Sequence, residues 1–189
     1  GNEIGAMRRN LSMTSTGSGQ FFLVRAPNHD FGHGGHGFWL QGPGVELVGN
    51  VVSGTRGGAY AYGTSSSKTM FDAVNLVDPS IAAGRTAVPV GAVPLRAFQG
   101  NAAYAVREGL EIWFHMTNLN HGETVIEGFT AWNVVDKGIQ LPYSGLITIR
   151  NAKLFGSTAA DAPYGILTNR RTQNIRFENI SVEGFDLSL

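Results

Sequence analysis

A strand-like unit returns along this chain at a spacing near 21 residues, and that periodicity restricts the fold more than any other feature. Five segments align: VELVGNVVSG, LRAFQGNAAYA, TVIEGFTAWN, LITIRNAKLFG and NIRFENISVEG, each an apolar run broken by a central polar or glycine pair. A second set lies between them: GFWLQG, GAYAYG, GLEIWFH, GIQLPY and GILTNR. The opening glycine of the second set precedes the next central residue by 13 positions for Gly37 to Asn50 and Gly138 to Asn151, and by 14 for Gly165 to Asn179. The return step is 8 for Asn50 to Gly58 and Asn101 to Gly109, and 9 for Phe129 to Gly138. Longer intervals locate interrupting loops at about residues 14–36, 64–94, 115–123 and 156–163.

A unit this short cannot hold a strand–helix–strand crossover, and the leucine-rich repeat signature of similar period is absent. The fold read from these spacings is all-β: a right-handed single-stranded parallel β-helix of about five to six coils, roughly 4.8 Å apart, with interrupting loops. Residues 1–189 form one such domain, expected to be a segment of a larger protein, because neither end offers a cap and SVEGFDLSL still reads as strand. Further chain segments or further copies stacking on the coil ends are the expected protein partners. Asn50, Asn101, Asn151 and Asn179, with Asn10 as an earlier member, fall at successive bends, where stacked amides form a structural ladder. Within the first set, Leu47, Phe98 and Ile126 sit one place off Ile149 and Phe177 when the segments are aligned on those centres.

Counting from the glycines separates two faces. Phe38, Ala59, Leu110, Ile139 and Ile166, and then Leu40, Ala61, Ile112, Leu141 and Thr168, are the expected interior stacks. The outward columns read Trp39, Tyr60, Glu111, Gln140, Leu167 and Gln41, Tyr62, Trp113, Pro142, Asn169. Trp39, Tyr60, Tyr62 and Trp113, interleaved with Gln41, Gln140 and Asn169, are therefore the expected ligand-binding residues. Rings take the apolar face of a pyranose while amides and an acid take its hydroxyls. The competing expectation is that the loops fold over these aromatics.

Composition narrows the partners. Charged residues are 15% and the formal net charge is zero, which gives nucleic acid and acidic membranes no electrostatic hold. No apolar run is long enough to span a bilayer, and no secretory signal opens the sequence. Without cysteine, disulfides and thiolate metal sites are excluded.

The stretch NHDFGHGGHGFWLQGPG contains a formal G-x-G-x-x-G, but its glycines run into a strand instead of opening a helix, so a phosphate loop is rejected. His33, His36 and Asp30 are the metal candidates, suited to a divalent zinc or calcium ion, although no cofactor is required by the reading. A polar substrate contact by this loop is one alternative, and an ordinary glycine-rich turn is another, favoured over both. For catalysis the candidates are Glu111, His36 and Arg107. Glu111 leads because it projects among aromatics, while Glu108, Asp136 and Lys137 complete a fragment of a uronate-lyase-like set. His115 and His121 flank the neighbouring loop. The aspartates are isolated, so the paired aspartates of pectin-type hydrolases have no counterpart.

FGHGGHGFWLQGPGVELVGNVVSG, residues 31–54, resembles the parallel β-helix region of the cell-migration-inducing hyaluronidase and its relatives that carry a glycine-rich G8 module. The resemblance implies extracellular or cell-surface residence and glycan contact, and carries over no catalytic set. The expected function is polysaccharide binding by an extracellular, bacterial β-helix domain. A polysaccharide lyase or glycoside hydrolase, and an adhesive stalk without ligand, are the alternatives.

Overall fold

The computed structural model describes residues 35–40, 45–63, 70–76, 78–116 and 122–188. The strands run β1 (Phe38–Leu40), β2 (Glu46–Val48), β3 (Val51–Ser53), β4 (Gly58–Gly63), β5 (Met70–Asp72), β6 (Ala87–Pro89), β7 (Ala97–Gln99) and β8 (Ala102–Tyr104). They continue as β9 (Glu108–Trp113), β10 (Thr124–Glu127), β11 (Thr130–Val134), β12 (Lys137–Gln140), β13 (Gly145–Arg150), β14 (Lys153–Gly156), β15 (Tyr164–Leu167), β16 (Gln173–Glu178) and β17 (Ser181–Glu183). No α-helix occurs among the described residues.

Three five-stranded sheets result: β1-β4-β9-β12-β15, β2-β7-β10-β13-β16 and β3-β8-β11-β14-β17. Every pairing within them is parallel, and the chain visits the first, second and third sheet in turn. The protein is thus all-β with three parallel sheets, an arrangement compatible with a parallel β-helix. Its interior is one continuous core in which Phe98, Ile126, Ile149, Phe129, Leu154, Leu110, Ile112 and Ile139 meet from all three sheets. Each such side chain, fully buried, contributes about 1.5–3 kcal/mol.

Register corrects the sequence reading of the first sheet. Phe38 pairs with Tyr60 and Gly58 with Glu108, so the residue level with Gly37, Gly109, Gly138 and Gly165 is Ala59, not Gly58. The column is small because it faces inward at a tight corner: a Cβ on Gly109 would lie 2.4 Å from the Gly138 carbonyl oxygen. Taking Gly58 as the marker shifts the second level by one residue, and in a strand one residue reverses the face. Tyr60 and Tyr62 are therefore interior, 1% and 3% exposed, and not members of an outward platform. The Tyr60 ring stacks on Phe38 and meets Phe98 and Phe129 edge-on, and its hydroxyl lies 2.8 Å from the Asn50 carbonyl and 2.9 Å from that of Ala102. Ala61, expected inside, is level with Trp39 and Glu111.

The second sheet resolves the one-place offset differently. Leu47, Phe98, Ile126, Ile149 and Phe177 are fully in register, and the shift lies in the asparagines. The bend that follows places a left-handed residue at Gly49, Gly100, Gly128, Asn151 and Asn179, a conformation asparagine tolerates better than most side chains. Asn50 and Asn101 occupy the next, inward position. The amides accordingly form two ladders. The Asn50 amide donates to Asn101 Oδ1 at 3.0 Å in one, and the Asn179 amide to Asn151 Oδ1 at 2.7 Å in the other. Asn10 lies outside the described residues.

Interruptions concentrate at one corner. The segment between β4 and β7 carries the antiparallel β5–β6 hairpin and three 3-10 turns around a small cluster of Ala82, Val88 and Val93. The interval between β9 and β10 leaves from the same first-to-second-sheet corner, whereas residues 156–163 fall between the third sheet and the first.

Candidate functional site

Outward residues of the first sheet lie beside that loop-rich corner. One column is Gly58, Glu108, Lys137 and Tyr164, a second Trp39, Ala61, Glu111, Gln140 and Leu167, and a third includes Gly63 and Trp113. The second level is reduced to glycine or alanine, and its neighbours lie over it. The tip of the Trp39 indole sits 3.0 Å from where a Cβ of Gly63 would be. Trp113, the register partner of Gly63 on the next strand, projects from the same face and is 38% exposed.

Over Gly58 the acid and the imidazole converge. His36 Nδ1 and Glu111 Cδ both lie within 3.4 Å of the position a Cβ would take there. The Gly58 N–H donates to His36 Nδ1 at 2.8 Å, and the His36 ring stacks on Trp39 with centroids 5.2 Å apart. Both His36 and Glu111 are under 10% exposed. The bond decides the tautomer: Nδ1 accepts, so Nε2 carries the proton, the reverse of a ligating histidine whose Nδ1–H is held by a partner. The geometry thus corrects the metal assignment of His36. His33 and Asp30 lie outside the described residues, as does Gln41, and no group of three or more metal-ligating side chains gathers among those described.

A closed ion network borders the site. Lys137 Nζ is 2.8 Å from both Glu108 and Asp136, and the Arg107 guanidinium reaches Asp136 at 3.1 Å. Burial alone would raise the Asp136 carboxyl, but the hydrogen bond and charge of Lys137, joined by Arg107, hold it below its usual range. Burial likewise works to lower Lys137, and its two carboxylate partners more than reverse that. These charges satisfy one another. Arg107, proposed from sequence as catalytic, is therefore a clasp at the corner, held by Asp136 and standing 3.9 Å from Glu108.

Asn169, expected to contact ligand, instead builds the turn after β15: its Oδ1 accepts from the Tyr143 N–H at 3.2 Å and the Arg171 N–H at 3.0 Å. Gln140 stays on the outward face, half-buried beside Glu111.

The sequence reading missed an aromatic edge to this face. Phe114 lies 6.3 Å from Trp113 and stacks on Tyr143 at 4.9 Å with planes 9° apart, and the Arg171 guanidinium lies 5.6 Å over Tyr143. The signal was present: Phe114 and Tyr143 each stand five places after their strand glycine, Gly109 and Gly138. Also missed was the burial of His115, which is wholly enclosed against Tyr62 and Thr124.

The outward face thus offers the indoles of Trp39 on β1 and Trp113 on β9, the Glu111 carboxylate on β9, the Gln140 amide on β12 and the imidazole of His36 just ahead of β1. Comparison with known proteins gives no match to a family model, a curated protein or a solved structure.

Proposed function

We propose that this protein is a right-handed parallel β-helix of five coils that binds a polysaccharide along the outer face of its first sheet, at a bacterial cell surface or outside the cell. The observation that carries the reading is the convergence of Trp39, lying across Gly63, with Trp113 on the next strand, beside Glu111 and Gln140. Indole faces suit the apolar side of a sugar ring, and the carboxylate and amide suit its hydroxyls. Neighbouring strands, about 4.8 Å apart, give a sugar chain successive contacts across the sheet. Phe114 and Tyr143 extend the same face toward the loop-rich corner.

A second reading, a polysaccharide lyase or glycoside hydrolase, is favoured by one specific feature: Glu111 and His36 meet over Gly58 next to the indoles. An acid and an imidazole in that position are suited to proton transfer at a glycosidic linkage.

Calorimetric titration with cellohexaose, chitohexaose and polygalacturonate tests the binding reading. Trp113→Ala is expected to weaken binding about tenfold, or roughly 1.4 kcal/mol, without altering the circular dichroism. Flat titrations with all three sugars, or equal affinity in the variant, overturn it. Incubation of the same sugars with the protein, followed by assays for unsaturated ends and new reducing ends, separates lyase from hydrolase from simple binding.

A further inference from the structure

We propose that His115 is an acid-sensitive latch that holds the strand end Trp113–Met116, and with it the aromatic edge of the glycan face, in place. What the latch controls rests on the binding reading above, whereas the latch itself rests on the interior geometry alone.

His115 stands where the first sheet ends. Its side chain is wholly enclosed, and Nε2 meets the Thr124 hydroxyl at 2.5 Å. Thr124 Oγ1 also accepts from the Leu95 N–H at 3.1 Å. One imidazole therefore ties the end of β9 to the start of β10 and to the chain entering β7. The backbone is fastened at the same point. The His115 N–H donates to Ser144 Oγ at 3.3 Å, and the His115 carbonyl accepts from the Gly145 N–H at 2.9 Å. Trp113 and Phe114 immediately precede it, Phe114 in the left-handed conformation with φ 57°.

The enclosure suits only the neutral ring. Nε2 is taken up by Thr124, and Nδ1 has no hydrogen-bond partner. The Tyr62 ring packs edge-on at 5.7 Å, and its buried hydroxyl is also without a partner. Tyr62 is the titratable group packed against the imidazole from β4; β10 presents the Thr124 hydroxyl and the β12–β13 turn that of Ser144. The neighbouring carboxylate, Glu123, accepts instead from the Thr148 hydroxyl at 2.8 Å. A second ring proton would place a charge in this enclosure with no ion-pair partner for it among the described residues. Opening the strand end to water relieves that cost.

Burial pushes the His115 imidazole down to about 4 from its ordinary 6.5. The open form thus takes up a proton in a pH range where the closed form does not. Proton linkage then raises the opening equilibrium about twentyfold between pH 7 and pH 5.

Amide hydrogen exchange on the whole chain, corrected for the intrinsic pH dependence of exchange, tests this. Residues 110–116 and 122–126 are read against 147–154 as an internal reference. The latch requires exchange in 110–116 and 122–126 to rise about twentyfold from pH 7 to pH 5 while 147–154 keeps its protection, and it requires that rise to vanish in His115→Gln. Loss of protection in both segments together, or in neither, overturns it from wild-type data alone, even where the variant does not fold. The same three sugars titrated at pH 7 and pH 5 supply the functional arm. Wild-type affinity that falls as exchange rises supports the proposal, and affinity unchanged while 110–116 and 122–126 open overturns the link to the glycan face. No binding at either pH overturns the glycan reading, and the exchange result still decides the latch.

Discussion

The outer faces of the first and second sheets are built on the same parallel ladder and treat charge in opposite ways. On the second sheet, Glu46 meets Arg96 at 2.6 Å with both side chains half-exposed, and Glu127 pairs with Arg150 across neighbouring strands in the same wet setting. Such pairs contribute about 0–1 kcal/mol and would suit any solenoid surface. On the first sheet, Glu108 and Glu111 are nearly enclosed, Glu108 against Lys137 and Glu111 beside His36 over Gly58. Enclosing charge is costly and seldom stabilises a fold beyond what apolar packing would. Where one outward face accepts that cost and its neighbour does not, the difference points to a site.

The contrast is open to measurement, beginning where the effect is greatest. Tyr60→Ala is expected to lower stability by about 3–5 kcal/mol in chemical denaturation, the cost of emptying a large buried aromatic site. A loss under about 1 kcal/mol would return Tyr60 to the surface. Lys137→Met leaves Glu108 and Asp136 without their shared cation, and the expected loss approaches the roughly 3 kcal/mol seen when one partner of an enclosed pair is removed. Rescue is expected from the double change with Glu108→Gln, since the enclosed charge then disappears while Asp136 keeps Arg107. Arg96→Ala, on the second sheet, is expected to cost no more than about 1 kcal/mol and to lose even that in high salt. Equal costs for the Lys137 and Arg96 changes would erase the distinction between the faces.

Much of this architecture was legible before any coordinates. Strand periodicity located the three sheets' strands and two of the interruptions at the loop-rich corner, because alternate burial and glycine turns leave direct marks in sequence. Trp39, Glu111, Gln140 and Trp113 were placed on the correct face for the same reason. The second level was misread because Gly58 and Ala59 are both small, and only the hydrogen-bonded register shows which of them faces the core. The asparagines were half legible. A left-handed bend is satisfied by glycine at three levels and asparagine at two, so one residue type marks two different positions. The enclosure of His115 left no comparable mark, since it follows from a long-range contact with Tyr62 on a neighbouring strand. Arg107 and Asn169 were credible ligand contacts by type, and their partners, Asp136 and the backbone after β15, became visible only in three dimensions.

The gathering of the β5–β6 hairpin and the β9–β10 segment at one corner has a consequence for how such a molecule diversifies. Strand pairing registers are fixed by the three ladders, which these excursions leave and rejoin without changing. Segments of other length or chemistry can therefore be exchanged between β4 and β7 with the stack left standing, so that the loops beside the outward face evolve, or are engineered, separately from the sheet itself.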